Sequence, residues 1–431
     1  MYKQGKIEKA WEELFNRYDI EKKIKLNGVF SLTAQQIKQT YEEPRLMTKF
    51  DSSSTLPKIF KDNNLSILPD SRGTYVIGKF QAYQQLDHKE IKPKCVQLPS
   101  WIRSFDTFQV TSEAVAINIA QISGMIDYLM KEDEENEPNC VRTITGRLKS
   151  GILNYKINLE YKNKIKQYQF KLNNSQVEID AGFENINKLS IIEAKNLLPL
   201  DFMIRQLYYP FRIYSSLNTE KTIIPIFFTH ADDIYSFYIF KFKDTNNYSS
   251  IEFKDQISFI VDTNLNINLD EVKKISHDSP NNDNKEPFPQ ADNFTRVLDV
   301  LQKLRTPKDK LELSDEYSFN PRQGDYYANA SKYLGFVKKN GNKFELTNLG
   351  TQIVNLPNSN KRNLIIIKQI LSNKIFNLIF SSVLKNNGSF DNDYITDVIL
   401  KNVNNINPNT AKRRSKTAKN WIEWILNLAV V

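Results

Sequence analysis

Three residues could do chemistry together. Asp180 stands in Gln176-Val-Glu-Ile-Asp-Ala-Gly-Phe183, and Glu193 and Lys195 stand in Leu189-Ser-Ile-Ile-Glu-Ala-Lys-Asn196. Both stretches have strand character. On a strand, a period of two places Glu193 and Lys195 on one face and Ile192 and Ala194 on the other. If the two strands pair antiparallel, Asp180 joins Glu193 and Lys195. Carboxylates from two strands suit Mg²⁺, which takes oxygen ligands and keeps several waters. The ion lowers the pKa of a bound water and neutralises charge on a phosphate. Lys195 can orient or help deprotonate that water and stabilise developing charge. The spacing alone is weak, because a surface ion pair on a hairpin gives the same pattern. Its surroundings have to separate the two.

Those surroundings are informative between residues 106 and 245. Ser112 can cap a helix over 112–130, in which Val115, Ile119, Ile122, Ile126 and Leu129 recur at helical spacing. Strand-like stretches follow at 152–161, 167–172, 177–183 and 189–194. A helix is expected over 199–208, ended near Pro210, and buried strands over 222–229 and 234–242. Helix, antiparallel strands, helix, strand describes an α/β or α+β core with one mixed sheet. Accessory candidates are Glu113, which also suits a helix's first turn, and Gln206 on the second helix. Glu178 is either a further carboxylate or a hairpin ion-pair partner.

The chain has 431 residues, 40% hydrophobic and 25% charged, with a net charge of +9. That balance is ordinary for a folded protein of two to four domains. No apolar run is long enough to span a membrane, and the N-terminus lacks an apolar signal core, so a cytoplasmic protein is expected. Cys95, Cys140, His88, His230 and His277 are too few and too scattered for a disulfide framework or a zinc finger. Residues 290–431 hold 21 basic and 12 acidic residues, so the entire positive excess lies there. Such a surface attracts polyanions, although it also fits a solvated face.

Residues 277–289, polar and broken by prolines, read as a linker. The expected division is 1–105, a DNA-recognition module or an extension of the core; 106–276, the core; and 290–431, the basic region, with 290–358 and 362–431 as two candidate units. An acidic loop at 131–138 is a softer break. In the basic region, helices at 293–304 and 321–334 precede a hairpin over 335–347 with Asn-Gly in its turn. Helix, helix, hairpin is a winged-helix pattern. Further helices are expected at 362–372, 374–385, 393–400 and 410–428.

At this level the chain resembles the PD-(D/E)XK nuclease superfamily, and within it the Type II restriction endonucleases. The core order of that superfamily fits 106–245. Glu43 to Asp51, Leu56 to Phe60, Ile67 to Phe80 and Arg322 to Phe336 also look like segments of such enzymes. The resemblance implies that Asp180 and Glu193, with the Ala194 main chain, bind Mg²⁺ and that Lys195 assists the attacking water. Glu113 and Gln206 would be accessory catalytic residues. It further implies double-stranded DNA as substrate, hydrolysis to 5′-phosphate and 3′-hydroxyl ends, and a cognate DNA methyltransferase. Cutting both strands favours a homodimer or paired binding events. The name-giving proline is absent; Ile179 stands in its place.

DNA contacts are expected on the recognition helix from Arg322, Gln323, Tyr326 and Asn329, since Arg reads guanine and Gln or Asn reads adenine. Lys338, Lys339 and Lys343 decorate the wing, where phosphate contact is natural. Lys412, Arg413, Arg414, Lys416, Lys419 and Asn420 open the final helix, ahead of a core stripe that includes Trp421 and Trp424. Arg45, Lys49, Asp51 and Arg72 are candidates for a second DNA-facing surface. Two other readings fit: a non-enzymatic winged-helix regulator, which has no need of the carboxylates, and a nuclease for repair or for modified DNA.

Overall fold

The computed structural model describes residues 2–99, 101–102, 104, 110, 112–131, 139–217, 220–261, 267–279, 286–317, 321–356 and 359–430. Most of the acidic loop and part of the linker expected from the sequence lie outside them. The architecture is mixed α and β, with helices packed on several sheets.

The N-terminal region runs α1 (Tyr2–Tyr18), α2 (Ile20–Asn27), β1 (Val29–Thr33), α3 (Ala34–Lys38), α4 (Pro44–Thr48), α5 (Lys58–Asp62), β2 (Ser66–Ser71), β3 (Thr74–Gly78), β4 (Tyr83–Gln85) and β5 (Lys94–Val96). β2 and β3 join through Arg72 and Gly73, and Gly73 takes a φ of +93° that a side chain would disfavour. A cluster built on Trp11, Phe15, Phe50 and Phe60 fills the space between α1 and this hairpin.

The middle region runs α6 (Glu113–Ile122), α7 (Met125–Met130), β6 (Val141–Lys149), β7 (Ile152–Tyr161), β8 (Lys164–Asn173), β9 (Gln176–Glu184), β10 (Lys188–Lys195), β11 (Asp201–Met203), α8 (Arg205–Ser216), β12 (Thr222–Ala231), β13 (Ile234–Phe242), β14 (Ile251–Val261), β15 (Ile267–Asn268) and α9 (Leu269–Asp278). Its main sheet has the order β5-β14-β13-β12-β10-β9-β6. β6, β9 and β10 are antiparallel neighbours, and β12 returns parallel to β10 after α8. One face carries α6 and α7 over Ala181, Phe183, Ile192 and Ala194. The other carries α8 over Ile179, Leu189, Ile191 and Phe227. Burying both faces of the central strands is why β10 and β12 read as nearly continuous apolar runs.

Three sequence expectations need correction. The helix expected over 112–130 breaks at Ser123 and Gly124, where Gly124 adopts φ +77°; the Ser112 cap is present, accepting from the Val115 N–H. The helix expected over 199–208 instead begins at Arg205 and runs through Pro210. The proline removes one hydrogen bond, and buried Leu207, Tyr208 and Phe211 hold the helix across it. Third, β7 and β8 do not join the main sheet. They form a hairpin that extends β1-β3-β2, so the third core strand is β6. β6 is a polar edge strand whose residues are mostly exposed, so it lacks the apolar run that marks β10 and β12.

The C-terminal region runs α10 (Phe294–Lys303), β16 (Lys308–Asp309), α11 (Lys310–Tyr317), α12 (Pro321–Tyr333), β17 (Val337–Asn340), β18 (Lys343–Leu346), α13 (Asn348–Val354), α14 (Asn360–Leu371), α15 (Lys374–Lys385), α16 (Asn392–Asn402), α17 (Pro408–Leu428) and β19 (Ala429–Val430). β16, β18 and β17 make a small sheet beside α10–α12. In the described residues after α13 no second hairpin follows; β19 pairs with β15 instead. One apolar cluster runs from Ile267 to Leu428 and joins both expected units. Trp421 and Trp424 are buried in it, as the stripe on α17 required.

Polar bonds tie this region to the middle one and to the segment between β4 and β5. Arg296 Nε donates to the Leu198 carbonyl at 3.0 Å, Glu90 accepts from Thr295 N at 3.0 Å, and Asn427 Nδ2 donates to the Glu90 carbonyl at 2.7 Å. Arg362 of α14 pairs with Asp232 in the β12–β13 turn, both fully buried.

Candidate active site

β9 and β10 pair from Glu184–Leu189 to Ala181–Ile192, and there the ladder stops. Asp180 is the next residue. Its Oδ2 accepts a hydrogen bond from the Ala194 N–H at 2.8 Å, a side chain standing where a ladder carbonyl would stand. The Asp180 carbonyl turns toward β6 instead, accepting from Arg142 Nη2 at 2.8 Å and Thr145 Oγ1 at 3.2 Å, beside a register irregularity in β6. The carboxylate is thus fixed by backbone on one strand and released from pairing on its own. The Ala194 side chain is buried in the α6 layer, so only its main chain faces this corner.

Glu193 accepts from two donors on the same oxygen. Lys195 Nζ and Gln206 Nε2 each lie 2.5 Å from its Oε1. Gln206 is in the first turn of α8, the helix of the crossover from β10 to β12. Burial pushes the Glu193 carboxyl up to about 7, with Asp180 and Asp51 adding to the rise and Lys195 opposing it. Burial works against the Lys195 charge, but Glu193, Glu113 and Asp51 outweigh it and hold the ammonium above its ordinary range. The pair shares one buried environment, and the direction that matters is that Lys195 stays charged.

Glu113, at the start of α6, reaches the same place. Burial raises its carboxyl, Lys195 opposes the rise, Asp180 adds to it, and the Asn196 backbone hydrogen-bonds it. Five side chains expected from the sequence, Asp180, Glu193, Lys195, Glu113 and Gln206, therefore line one cleft of about 410 Å³. Gln206 Oε1 is buried there without a hydrogen-bond partner, an acceptor left facing a polar cavity.

The cleft's second wall comes from the N-terminal region: Arg45, Lys49, Asp51, and Arg72 and Gly73 at the β2–β3 turn. Arg205 Nη2 approaches Asp51 Oδ1 at 3.7 Å, and that oxygen has no hydrogen-bond partner. Glu178 gathers three cations: Arg147 Nε at 2.8 Å, Lys49 Nζ at 3.5 Å and Arg45 Nη2 at 4.0 Å. Burial alone would raise the Glu178 carboxyl; Lys49, Arg147 and Arg45 hold it below the usual carboxylate range. Arg205 and Arg147 were not singled out by the sequence. Arg147 lies on the unnoticed β6, and Arg205 matters only once residues 44–51 are placed opposite α8.

Among the described residues no group of three or more His, Cys, Asp or Glu is placed to hold a metal ion. Any ion here would rest on two carboxylates and main-chain oxygen, completed by water. Mg²⁺ accepts that sparse, hard donor set.

The expected C-terminal contacts are differently placed. Asn329 of α12 and Lys338, Lys339 and Lys343 of the β17–β18 hairpin are exposed, and Tyr326 is half-exposed above buried Tyr327. The backbone of Arg322 and Gln323 is helical; their side chains lie outside the description. Lys338 pairs with Glu345 at 3.1 Å and Lys343 with Glu312 at 3.4 Å. On α17 the cations do not all face open solvent. Arg413 Nη2 donates to Gln290 Oε1 at 3.1 Å, Lys416 pairs with Asp292 at 3.3 Å, and Lys419 with Glu423 at 3.6 Å. Asn420 is spent on the Asp292 carbonyl at 2.7 Å, so it anchors the chain leading into α10. Arg414 is half-buried along a groove between α15 and the α16–α17 connection, and Lys412 is exposed.

Three family profiles match successive stretches. Residues 8–77 match a Domain of unknown function (DUF6996), 78–260 another (DUF6997) and 296–430 a third (DUF7226). Comparison with the curated proteins and with the solved structures gives no match. Among the described residues, no helix is long and apolar enough to cross a membrane.

Proposed function

We propose that this chain is a Mg²⁺-dependent endonuclease acting on double-stranded DNA, similar to the Type II restriction enzymes its sequence resembles. One observation carries the reading: Asp180, Glu193, Lys195 and Gln206 converge where β9 and β10 part, on a helix–β6–β9–β10–α8–β12 path. That path has the helix, three antiparallel strands, helix, strand order of PD-(D/E)XK nucleases, with β7–β8 inserted between its first two strands.

In this reading Asp180, Glu193 and the Ala194 main chain hold the ion. Bound there, Mg²⁺ would supply an acidified water and neutralise charge on the phosphate. The Ala194 N–H orients Asp180, and Gln206 fixes Glu193 with its amide. Lys195 places a fixed positive charge beside the attacked phosphate, where preorganised charge is most effective. The order α10–β16–α11–α12–β17–β18 supports a winged helix. Tyr326 and Asn329 would then lie toward base edges, and Lys338, Lys339 and Lys343 toward the backbone.

The test is digestion of long, unmodified DNA with Mg²⁺, with EDTA and the Asp180→Ala protein as controls. Discrete fragments, lost in both controls, are expected. Retardation of the DNA without any cutting would instead describe a binding protein and would remove the catalytic assignment.

A further inference from the structure

Glu178 lies two residues ahead of Asp180 on β9, about 7 Å along an extended strand, and both line the cleft. The three cations around it come from separate elements. Arg45 belongs to α4, Lys49 follows α4, and Arg147 is the cross-strand partner of Glu178 on β6. Arg147 and Lys49 reach different oxygens, Arg45 adds a third approach, and Gln176 Nε2 donates to Oε1 at 3.1 Å. Lys49 is also 3.8 Å from Asp51.

Stability does not explain the arrangement. Arg45 and Arg147 are 68% and 61% exposed, and an exposed ion pair contributes only about 0.2–1 kcal/mol while ordering long side chains. Three cations converge on this one carboxylate at the rim of a cleft, and of the three Lys49 has a second carboxylate, Asp51, within 4 Å. Donors converging on a small oxyanion from several elements make the geometry of a phosphate site.

We propose that Arg45, Lys49 and Arg147 form a subsite for the DNA phosphate next to the one attacked, and that Glu178 stands in for that phosphate until DNA enters. The proposal rests on the endonuclease reading. It gives Glu178 a function of its own: the cations are held in place before binding, and a duplex that lacks contacts elsewhere must displace a carboxylate to reach them. Glu178 thus penalises binding to DNA of arbitrary sequence.

The test is titration of the full-length protein with a duplex of random sequence, in EDTA so that nothing is cut. Wild type, Glu178→Gln, Glu178→Ala, the Lys49→Ala/Arg147→Ala pair, and that pair combined with Glu178→Gln are compared, each checked for an unaltered melt. Both single Glu178 substitutions should tighten binding roughly fivefold, and the effect of Glu178→Gln should shrink to less than about twofold once Lys49 and Arg147 are gone and Arg45 alone is left. No tightening would overturn the proposal. So would a gain that persists undiminished without Lys49 and Arg147, which would mark a general effect of charge. If either occurs while wild type still cuts DNA, only the role of Glu178 falls. A wild type that neither binds nor cuts DNA removes the endonuclease reading, and this proposal with it.

Discussion

Two carboxylate–cation pairs with a buried carboxylate, Glu193 with Lys195 and Asp232 with Arg362, do different work. Glu193 and Lys195 are two residues apart on one strand, so the backbone alone sets them side by side. Asp232 and Arg362 are 130 residues apart and join the β12–β13 turn to α14. The first pair holds nothing together. It opens on a cleft that contains further carboxylates and an unpartnered amide oxygen. The second bridges two regions: Asp232 lies in the β12–β13 turn beside a cavity, and Arg362 reaches it from α14. A buried pair earns an architectural explanation when it closes a long loop; a pair within one strand needs another reason to exist.

Substitutions can break or sharpen that contrast. The largest effect is expected at the cleft: Asp180→Ala, Glu193→Ala or Lys195→Met should each lower cleavage by at least about a thousandfold. Lys195→Met should leave the melting temperature within a few degrees of wild type. A Lys195→Met protein that cuts normally but melts far lower would make this pair architectural too. Arg362→Met should do the reverse, lowering stability by about 3–5 kcal/mol because it strands a buried carboxylate; chemical denaturation measures it. A silent Arg362→Met would dissolve the distinction.

A smaller effect separates the regions by pH. His230, next to the Asp232 turn, is buried, and burial lowers its imidazole to about 4. The unfolded imidazole titrates near 6.5. Between these values the unfolded chain binds the extra proton, so this term is fully favourable above about pH 6.5 and is lost as pH falls through 4. Asp232, which burial pushes up to about 7 against the pull of Arg362, works in the opposite sense. Comparing His230→Gln with wild type isolates the histidine. The variant should gain about 3 kcal/mol relative to wild type between pH 7 and pH 4, and parallel stability curves would contradict this. The smallest effect belongs to α17. If Arg413 and Arg414 each meet a phosphate, changing both to Ala should flatten the salt dependence of DNA binding by about 0.9 per contact. An unchanged slope would leave Arg413 as a tether of the chain before α10 and Arg414 as a lining residue of its groove.

Much of the cleft was legible because strand period is local. Glu193 and Lys195 share a face whatever surrounds them, and the apolar runs of β10 and β12 mark buried strands. What was not legible depended on distant pairing. Val141 to Lys149 carries β-branched residues, but its core-facing Ile144 and Leu148 are separated by Gly146 and flanked by polar residues, so the apolar alternation is too thin to mark a strand. Pro210 reads as a helix end because propensity is local, while the burial of Leu207 and Phe211 that overrides it is not. The cations of α17 were legible as a cluster, but their use on Gln290 and Asp292 depends on where the preceding linker returns.

The β7–β8 hairpin has a consequence for how the chain is made. Ser71 of β2 pairs with Asn173 of β8, and β7 and β8 complete the sheet that β1, β2 and β3 begin. At synthesis rates of about 5–20 residues per second, the N-terminal strands wait on the order of 5–20 s for that hairpin. During that interval β2 presents an open edge, the kind of surface that chaperones cover and that neighbouring chains can join. The wall that carries Arg45, Lys49 and Arg72 therefore matures late, together with the strands that carry Asp180 and Glu193. A ribosome-bound fragment ending before residue 152 would hold the basic wall without its support, and would have no cleft in which to hold DNA.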